Sequence, residues 1–242
     1  MTFLPILNTP AENIPERILV VGDPNRLEVV SKQLENVTQI SANREYHSLK
    51  GHYQGELIAA VSHGVGSAGA GACFEELCQS GAKRIVRAGS AGGMQSGVVA
   101  GHVVIAQAAV REDGLSPKLV PSSYPAFATP DLVSNMRGSA NALGATFHEG
   151  LVLTSDMFYP HDVLGSDLPL WQRAGVTAVE MEIATLFVVC GLHGVERGAV
   201  VAIDGNPLDQ DEGSMETYDP RQESVTQAVQ QTLTIALDAL ID

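Results

Sequence analysis

The segment Arg17-Ile-Leu-Val-Val-Gly22-Asp-Pro-Asn-Arg26 decides the fold class. Its aliphatic run shows no polar alternation, so it reads as a strand covered on both faces, and Gly-Asp-Pro stops it in a turn. Helical spacing follows from Arg26 to about Leu34. The same unit returns downstream. Glu56-Leu-Ile-Ala-Ala-Val61 is a second such strand, closed by Ser62-His63-Gly64-Val-Gly66, with a helix expected over Ala70 to Ser80. Further strands are expected at Lys83 to Ala88, stopping at Gly89, at His102 to Gln107, at Phe147 to Thr154 and at Arg197 to Asp204. Asp131 to Leu143 and Ser224 to Ile241 are amphipathic, and Glu182 to Leu192 is apolar nearly all round, the pattern of a buried helix. Strands alternating with helices specify an α/β fold, with a twisted, mostly parallel central sheet and helices on both faces. No linker, repeat or low-complexity tract interrupts the alternation, so residues 1–242 are expected to form a single domain.

Composition narrows the partners. Hydrophobic residues make up 45% of the chain, enough to fill a core, while 14 Lys and Arg against 28 Asp and Glu leave a net charge of −14. Such a surface repels nucleic acid and anionic lipid, and an anionic small molecule would need a local cluster of arginines. No apolar run reaches the ~18 residues of a membrane span, and the first residues lack the basic and long apolar regions of a secretory signal. Cys73, Cys78 and Cys190 sit in apolar stretches without metal or redox spacing, as expected of reduced thiols in the cytoplasm. The seven histidines show no metal-ligand spacing, so no metal is expected.

Polar residues gather just after the expected strands: Asp23 and Arg26, Ser62 and His63, Arg87 and Ser90, Ser155 and Asp156, and Asp204. In open α/β sheets ligands bind outside the carboxyl ends of the strands, although turns there are polar for ordinary reasons too. Arg87 is the most informative, because an unpaired guanidinium inside Ile85-Val86-Arg87-Ala88 would be very costly. It requires either an internal carboxylate or a bound oxyanion. Arg26 and Arg44 are further anion candidates, or surface ion-pair partners. Val179-Glu180-Met181-Glu182 leads two carboxylates into an apolar segment, either as helix-start acids or in ligand roles, Glu180 as a ligand contact and Glu182 as an acceptor from vicinal hydroxyls. Asp204 ends an aliphatic strand before Gly205-Asn206-Pro207; it is either a turn former or a partly buried acid able to donate near neutrality.

Taken together, Val21-Gly-Asp-Pro-Asn-Arg26, Asn43-Arg-Glu-Tyr46, Ser62-His-Gly-Val-Gly66, Phe74-Glu-Glu-Leu77 and Arg87-Ala-Gly-Ser90 form an ordered series. Ser155-Asp-Met-Phe-Tyr-Pro160, Val179-Glu-Met-Glu-Ile-Ala-Thr185 and Ile203-Asp204-Gly continue it. In this series the chain resembles the hexameric nucleoside phosphorylases, a family that includes the uridine phosphorylases. Within it, Asn-Arg-Glu-Tyr, Ala-Ala-Val-Arg-Glu-Asp and Asp-Glu-Gly are similar to the purine enzymes of apicomplexan parasites.

The resemblance implies reversible phosphorolysis of 6-oxopurine nucleosides such as inosine and guanosine, giving free base and ribose 1-phosphate. Phosphate is then a co-substrate and no cofactor is involved. Gly22, Arg26, Arg87 and Ser90 would hold phosphate, with Arg44 reaching in from a neighbouring subunit of a dimer, three dimers making a hexamer. Met181 and Glu182 would hold ribose; Phe158, Val179 and Glu180 would line the base pocket; Asp204 would be the general acid at purine N7. The resemblance also marks departures. Ile6 stands where the family usually lends a histidine to the 5′-hydroxyl, Gln210 replaces a tryptophan after the acid, and Arg221 is the one nearby arginine that could assist it. Alternatives on the same scaffold are a uridine phosphorylase, a phosphate-independent nucleosidase and a non-catalytic nucleoside-binding protein.

Overall fold

In the computed structural model, which describes residues 2–208 and 222–242, the aliphatic runs become the strands of one large sheet. Gln210 and Arg221 lie outside the described residues. A small N-terminal hairpin, β1 (Phe3–Leu4) and β2 (Thr9–Pro10), precedes β3 (Arg17–Val21), α1 (Arg26–Ser31), β4 (Glu35–Asn43), β5 (Tyr46–Tyr53) and β6 (Glu56–Ser62). Then come α2 (Ser67–Gln79), β7 (Arg84–Gly93), β8 (Val103–Glu112), α3 (Ser116–Leu119), β9 (Ala126–Phe127) and α4 (Pro130–Ala142). The chain continues with β10 (Phe147–Ser155), α5 (Leu168–Arg173), β11 (Ala178–Glu180), α6 (Ile183–His193), β12 (Glu196–Gly205) and α7 (Glu223–Ile241).

The strand order is β11-β10-β8-β12-β7-β3-β6-β5-β4, with β9 on β8. Strands β12, β7, β3 and β6 run parallel, as do β8, β10 and β11, while β12–β8 and β5–β6 are antiparallel joints. The sheet is therefore mixed around two parallel blocks. The short strand β11 also pairs antiparallel with β7, through Ala178 opposite Gly93 and Val179 opposite Gly92. This second pairing closes β7, β11, β10, β8 and β12 into a ring.

Ring closure explains why β7 does not stop at Gly89. Its glycine-rich end continues the ladder, with Val201 opposite Gly89 and Ile203 opposite Ala91 on β12. At Gly93 a Cβ would lie 2.2 Å from the Val98 carbonyl oxygen, so no larger residue fits where the chain folds back on itself.

Helices α4 and α7 pack together against β7, β8 and β12; α2 packs on α6, which lies against β8, β10 and β12. Every residue of α6 from Ile183 to Cys190 is buried, as an all-apolar helix requires. Left-handed Gly194 (φ +69°) ends it, with its amide bonded back to the last turn. Among the described residues no helix is long and apolar enough to cross a membrane.

The packing sets a stability expectation. Phe187, fully buried on α6, should cost about 3–5 kcal/mol when cut to alanine, measured by denaturant unfolding. Leu164→Ala, at a residue 93% exposed, should stay within about 0.5 kcal/mol of the parent.

Candidate functional site

The carboxyl ends of β3, β7, β10, β11 and β12 open onto one cleft of about 1260 Å³. Gly22, Arg26, Arg87, Ser90, Phe158, Val179, Glu180, Met181, Glu182 and Asp204 all line it. Arg44 does not. It sits exposed in the turn between β4 and β5, in a left-handed conformation at φ +54°. Beside it, the Asn43 side-chain amide donates to the Ile6 carbonyl at 2.8 Å, so Ile6 and Arg44 share one edge of the molecule.

At one corner of the cleft, Gly22 follows β3 and its carbonyl accepts from the Gly64 amide at 3.1 Å. Arg26 opens α1, and its Nη2 donates to Ser90 Oγ on β7 at 3.3 Å. Asp23, also on the cleft wall, accepts from the Asn25 amide at 2.9 Å and so shapes the turn that presents Arg26.

Arg87 has the internal partners its burial demands, two carboxylates. Its Nη2 lies 3.2 Å from Glu180 Oε2 and makes a short bond to Glu182 Oε2. The three side chains are 4%, 1% and 5% exposed, respectively. Burial alone works against the guanidinium charge, but Glu182 and then Glu180 hold its pKa above the ordinary value. Nε and Nη1 are buried and meet no protein partner. Nη1 lies over Gly89, where a Cβ would come within 1.7 Å of it. The space that a side chain at Gly89 would fill is thus taken by Arg87.

The Glu180 carboxylate, though the residue borders the cleft, is taken up by bonds within the protein. Oε1 accepts from Thr154 Oγ1 at 2.6 Å and the Ile183 amide at 2.9 Å, and Oε2 from the Glu182 amide at 2.8 Å. This is the helix-start arrangement, holding the first amides of α6. Thr154, a residue that sequence reasoning passed over, completes it by accepting from the Ala184 amide at 2.8 Å. Burial pushes the Glu180 carboxyl well above the ordinary carboxylate range, against the pull of Arg87. Glu182 behaves oppositely. Burial would raise it, but Arg87 and the Gly66 amide, which donates to Oε1 at 2.6 Å, together lower it.

The cleft is also lined by Asp204, at the end of β12, and by an exposed aromatic pair: Phe158, 56% exposed, packs edge-to-face on Tyr159 at 4.9 Å. Other residues of the polar set serve the frame. Asp156 accepts from Ser67 Oγ at 2.5 Å and the Gly114 amide at 2.6 Å, tying the segment before Phe158 to α2. Ser62 Oγ bridges the Glu45 carbonyl and the His47 amide. His63 is buried edge-on to Phe74, and burial followed by Arg87 pushes its pKa down to about 3. Glu45, Val65, Tyr159 and Leu168 line the cleft without having stood out in the sequence.

Gly89→Ala should force Arg87 off its carboxylates. The expected loss is about 3–5 kcal/mol, the cost of stranding buried charge, read from denaturant unfolding near neutral pH. Its pH dependence has a defined sign. A carboxyl lowered in the folded state contributes stability that is present above its unfolded value and lost as pH falls through its folded one. The deficit of the variant should therefore shrink on acidification, as Glu182 loses its charge in the parent as well.

With this geometry established, comparison with known proteins identifies the family. The model of the phosphorylase superfamily matches residues 16–242. The chain is 40% identical to the purine nucleoside phosphorylase of Plasmodium falciparum (isolate 3D7), over 87% of this chain and 86% of that one. It is 35% identical to the uridine phosphorylase of Haemophilus influenzae, over 80% of this chain and 81% of the relative. Its fold superposes on the crystal structure of purine nucleoside phosphorylase from Toxoplasma gondii in complex with immucillin-H with a TM-score of 0.93. That match has 31% identity and covers 99% and 96% of the two chains. A family model that matches nearly the whole chain, with a relative 40% identical over most of its length, shows that this protein belongs to the phosphorylase superfamily.

Proposed function

We propose that this protein is a purine nucleoside phosphorylase that cleaves 6-oxopurine nucleosides reversibly with inorganic phosphate. One observation carries the reading. In a chain of net charge −14, Arg26, bonded to Ser90, and Arg87 line the same cleft as Asp204 and Phe158. Two arginines and a serine hydroxyl on one cleft are suited to hold an oxyanion, and an acid at the end of β12 is suited to a leaving base.

The chemistry follows from where charge develops. As the bond from C1′ to the base breaks, the sugar becomes positive and the purine negative. Phosphate held by Gly22, Arg26, Arg87 and Ser90 stabilises the first and supplies the oxygen that bonds to C1′. Asp204 protonates, or donates a hydrogen bond to, N7 of the departing purine and answers the second. Glu182, kept ionised by Arg87, accepts from the ribose hydroxyls, and Met181 packs the sugar. Phe158 and Val179 flank the base. Glu180 serves the site through its bonds to Arg87 and to the start of α6. No cofactor is required.

Asp204 favours purines over pyrimidines, which lack N7. Arg26 and Arg87 favour phosphate over water as nucleophile, and so disfavour a hydrolytic nucleosidase. Because Arg44 stands on an exposed edge outside its own cleft, it is assigned to the site of a second copy, in a homo-oligomer built from dimers, a hexamer when three associate. The acidic surface and apolar-embedded thiols suit the cytoplasm.

Chromatographic turnover of inosine, guanosine, adenosine and uridine, with and without phosphate, tests the reading. Phosphate-dependent release of hypoxanthine and guanine, with uridine slow, is expected. Fast uridine cleavage would overturn the purine assignment, and cleavage without phosphate would overturn phosphorolysis. Asp204→Asn should slow inosine cleavage by about 10²–10⁴. Co-assembling Arg44→Ala with Asp204→Asn subunits should restore activity, to roughly a quarter of the parent if dimers form at random. No restoration would place Arg44 elsewhere.

A further inference from the structure

Arg87, Glu180 and Glu182 form a nearly dry cluster of one guanidinium and two carboxylates, both acids meeting the same Nη2. With both acids ionised its formal charge is −1. If Arg87 also serves a divalent oxyanion, as the functional reading requires, two more negative charges arrive against an already negative buried group. At short range in a poorly solvated setting, a like charge favours the protonated form of a carboxyl.

The neighbours limit where a compensating proton can go. Facing the acids are Arg87 from β7, the Thr154 hydroxyl from β10, the amides of Gly66, Glu182 and Ile183, and His63 from the segment between β6 and α2. Arg87 holds its proton throughout, and Thr154 does not titrate. His63 is neutral across the working range, since burial and Arg87 push it down to about 3. The carboxylate pair remains. Glu182 is tied to Arg87 and the Gly66 amide and is needed as an acceptor on the cleft side. Glu180, taken up by bonds within the protein, is the acid that burial has already brought closest to protonation.

We propose that the Glu180–Glu182 pair takes up one proton from solvent when a divalent oxyanion binds at Arg87, and that Glu180 is the residue this uptake requires. The proton leaves the buffer, one carboxylate becomes a carboxylic acid, and the cluster goes from −1 to neutral as the dianion enters. Glu180 is thus a charge-balancing residue of the anion site that need not touch the anion. This inference rests on the assignment of Arg87 to an oxyanion. Anion affinity should fall as pH rises above the range in which the pair readily accepts the proton, by at most about tenfold per pH unit.

The probe is sulfate, which carries no titrating proton near neutrality, added to the assembled protein in a calorimeter. Repeating the titration in buffers of different protonation enthalpy counts the protons. Uptake approaching one per site in the parent, and none in Glu180→Gln with an affinity independent of pH, is the expected result. Sulfate binding without uptake, or with equal uptake in Glu180→Gln, overturns the proposal and leaves the anion site standing. Failure of sulfate to bind the parent overturns the anion site and this proposal together. If Glu180→Gln does not fold, difference infrared spectroscopy of the parent decides. A carboxylic-acid carbonyl band that grows with sulfate supports the proposal, and its absence overturns it.

Discussion

A guanidinium buried among aliphatic strands must be neutralised locally, and much of this site is arranged around that demand. Arg87 is placed on a central strand, where solvent cannot help it. Glu180 and Glu182 answer it, and each is in turn fixed by groups from separate elements: Thr154 on β10, the first amides of α6, and the Gly66 amide ahead of α2. Removing any one of these leaves a charge or a dipole stranded, so the cluster makes four segments depend on one another. Replacing such a cluster with apolar residues is often neutral or stabilising in proteins generally. Its presence beside the cleft is therefore better explained by ligand chemistry than by stability.

Closure of the sheet delivers these groups to one place. The second pairing of β11, to Gly92 and Gly93 on β7, brings the Val179–Glu182 segment alongside the strand that carries Arg87. Glycine is needed twice over here, once for the return of the backbone past Val98 and once for the passage of the Arg87 side chain over Gly89. A residue with a side chain at either point would separate the acids from their base. The glycine-rich end of β7 is thus a requirement of the charge cluster as much as of the ring.

The central strands and the buried helix were legible because burial on both faces leaves a strong trace, an unbroken aliphatic run. Arg17–Val21 and Ile183–Cys190 are cases where composition alone specifies the environment. The peripheral hairpin was not legible. Strand β4, at the sheet edge, is exposed through Gln39 and reads Glu-Asn-Val-Thr-Gln-Ile-Ser-Ala-Asn, with too little alternation to signal a strand. Helix α1 ends at Ser31, short of the apolar spacing that continues to Leu34, because Leu34 packs onto the core from the turn that follows. In the site, strand ends announced Asp23, Arg26, Arg87 and Asp204, and the carboxylates entering an apolar helix announced Glu180 and Glu182, whereas Glu45 left no such trace. What stayed hidden was the partner of each acid. The same Glu180 fits a cleft ligand and a helix-start acid, and only the bonds to Thr154, Glu182 and Ile183 distinguish them.

Charge also links the two scales of the molecule. An acidic surface weakens the approach of any anion, so an anion site within it cannot rely on long-range attraction and must act at contact distance. Arg26 meets this by leaning on Ser90, and Arg87 by being oriented before any ligand arrives. Orientation has a consequence. A cation already balanced by two carboxylates attracts a further anion weakly unless one of those carboxylates gives up its charge. An arginine held by a single acid would draw anions without such an exchange, yet would lack the second anchor that joins β7 to the start of α6. The second carboxylate therefore trades affinity for position, and Glu180, nearly dry and bonded within the protein, is the acid best placed to yield its charge without disturbing the cleft wall.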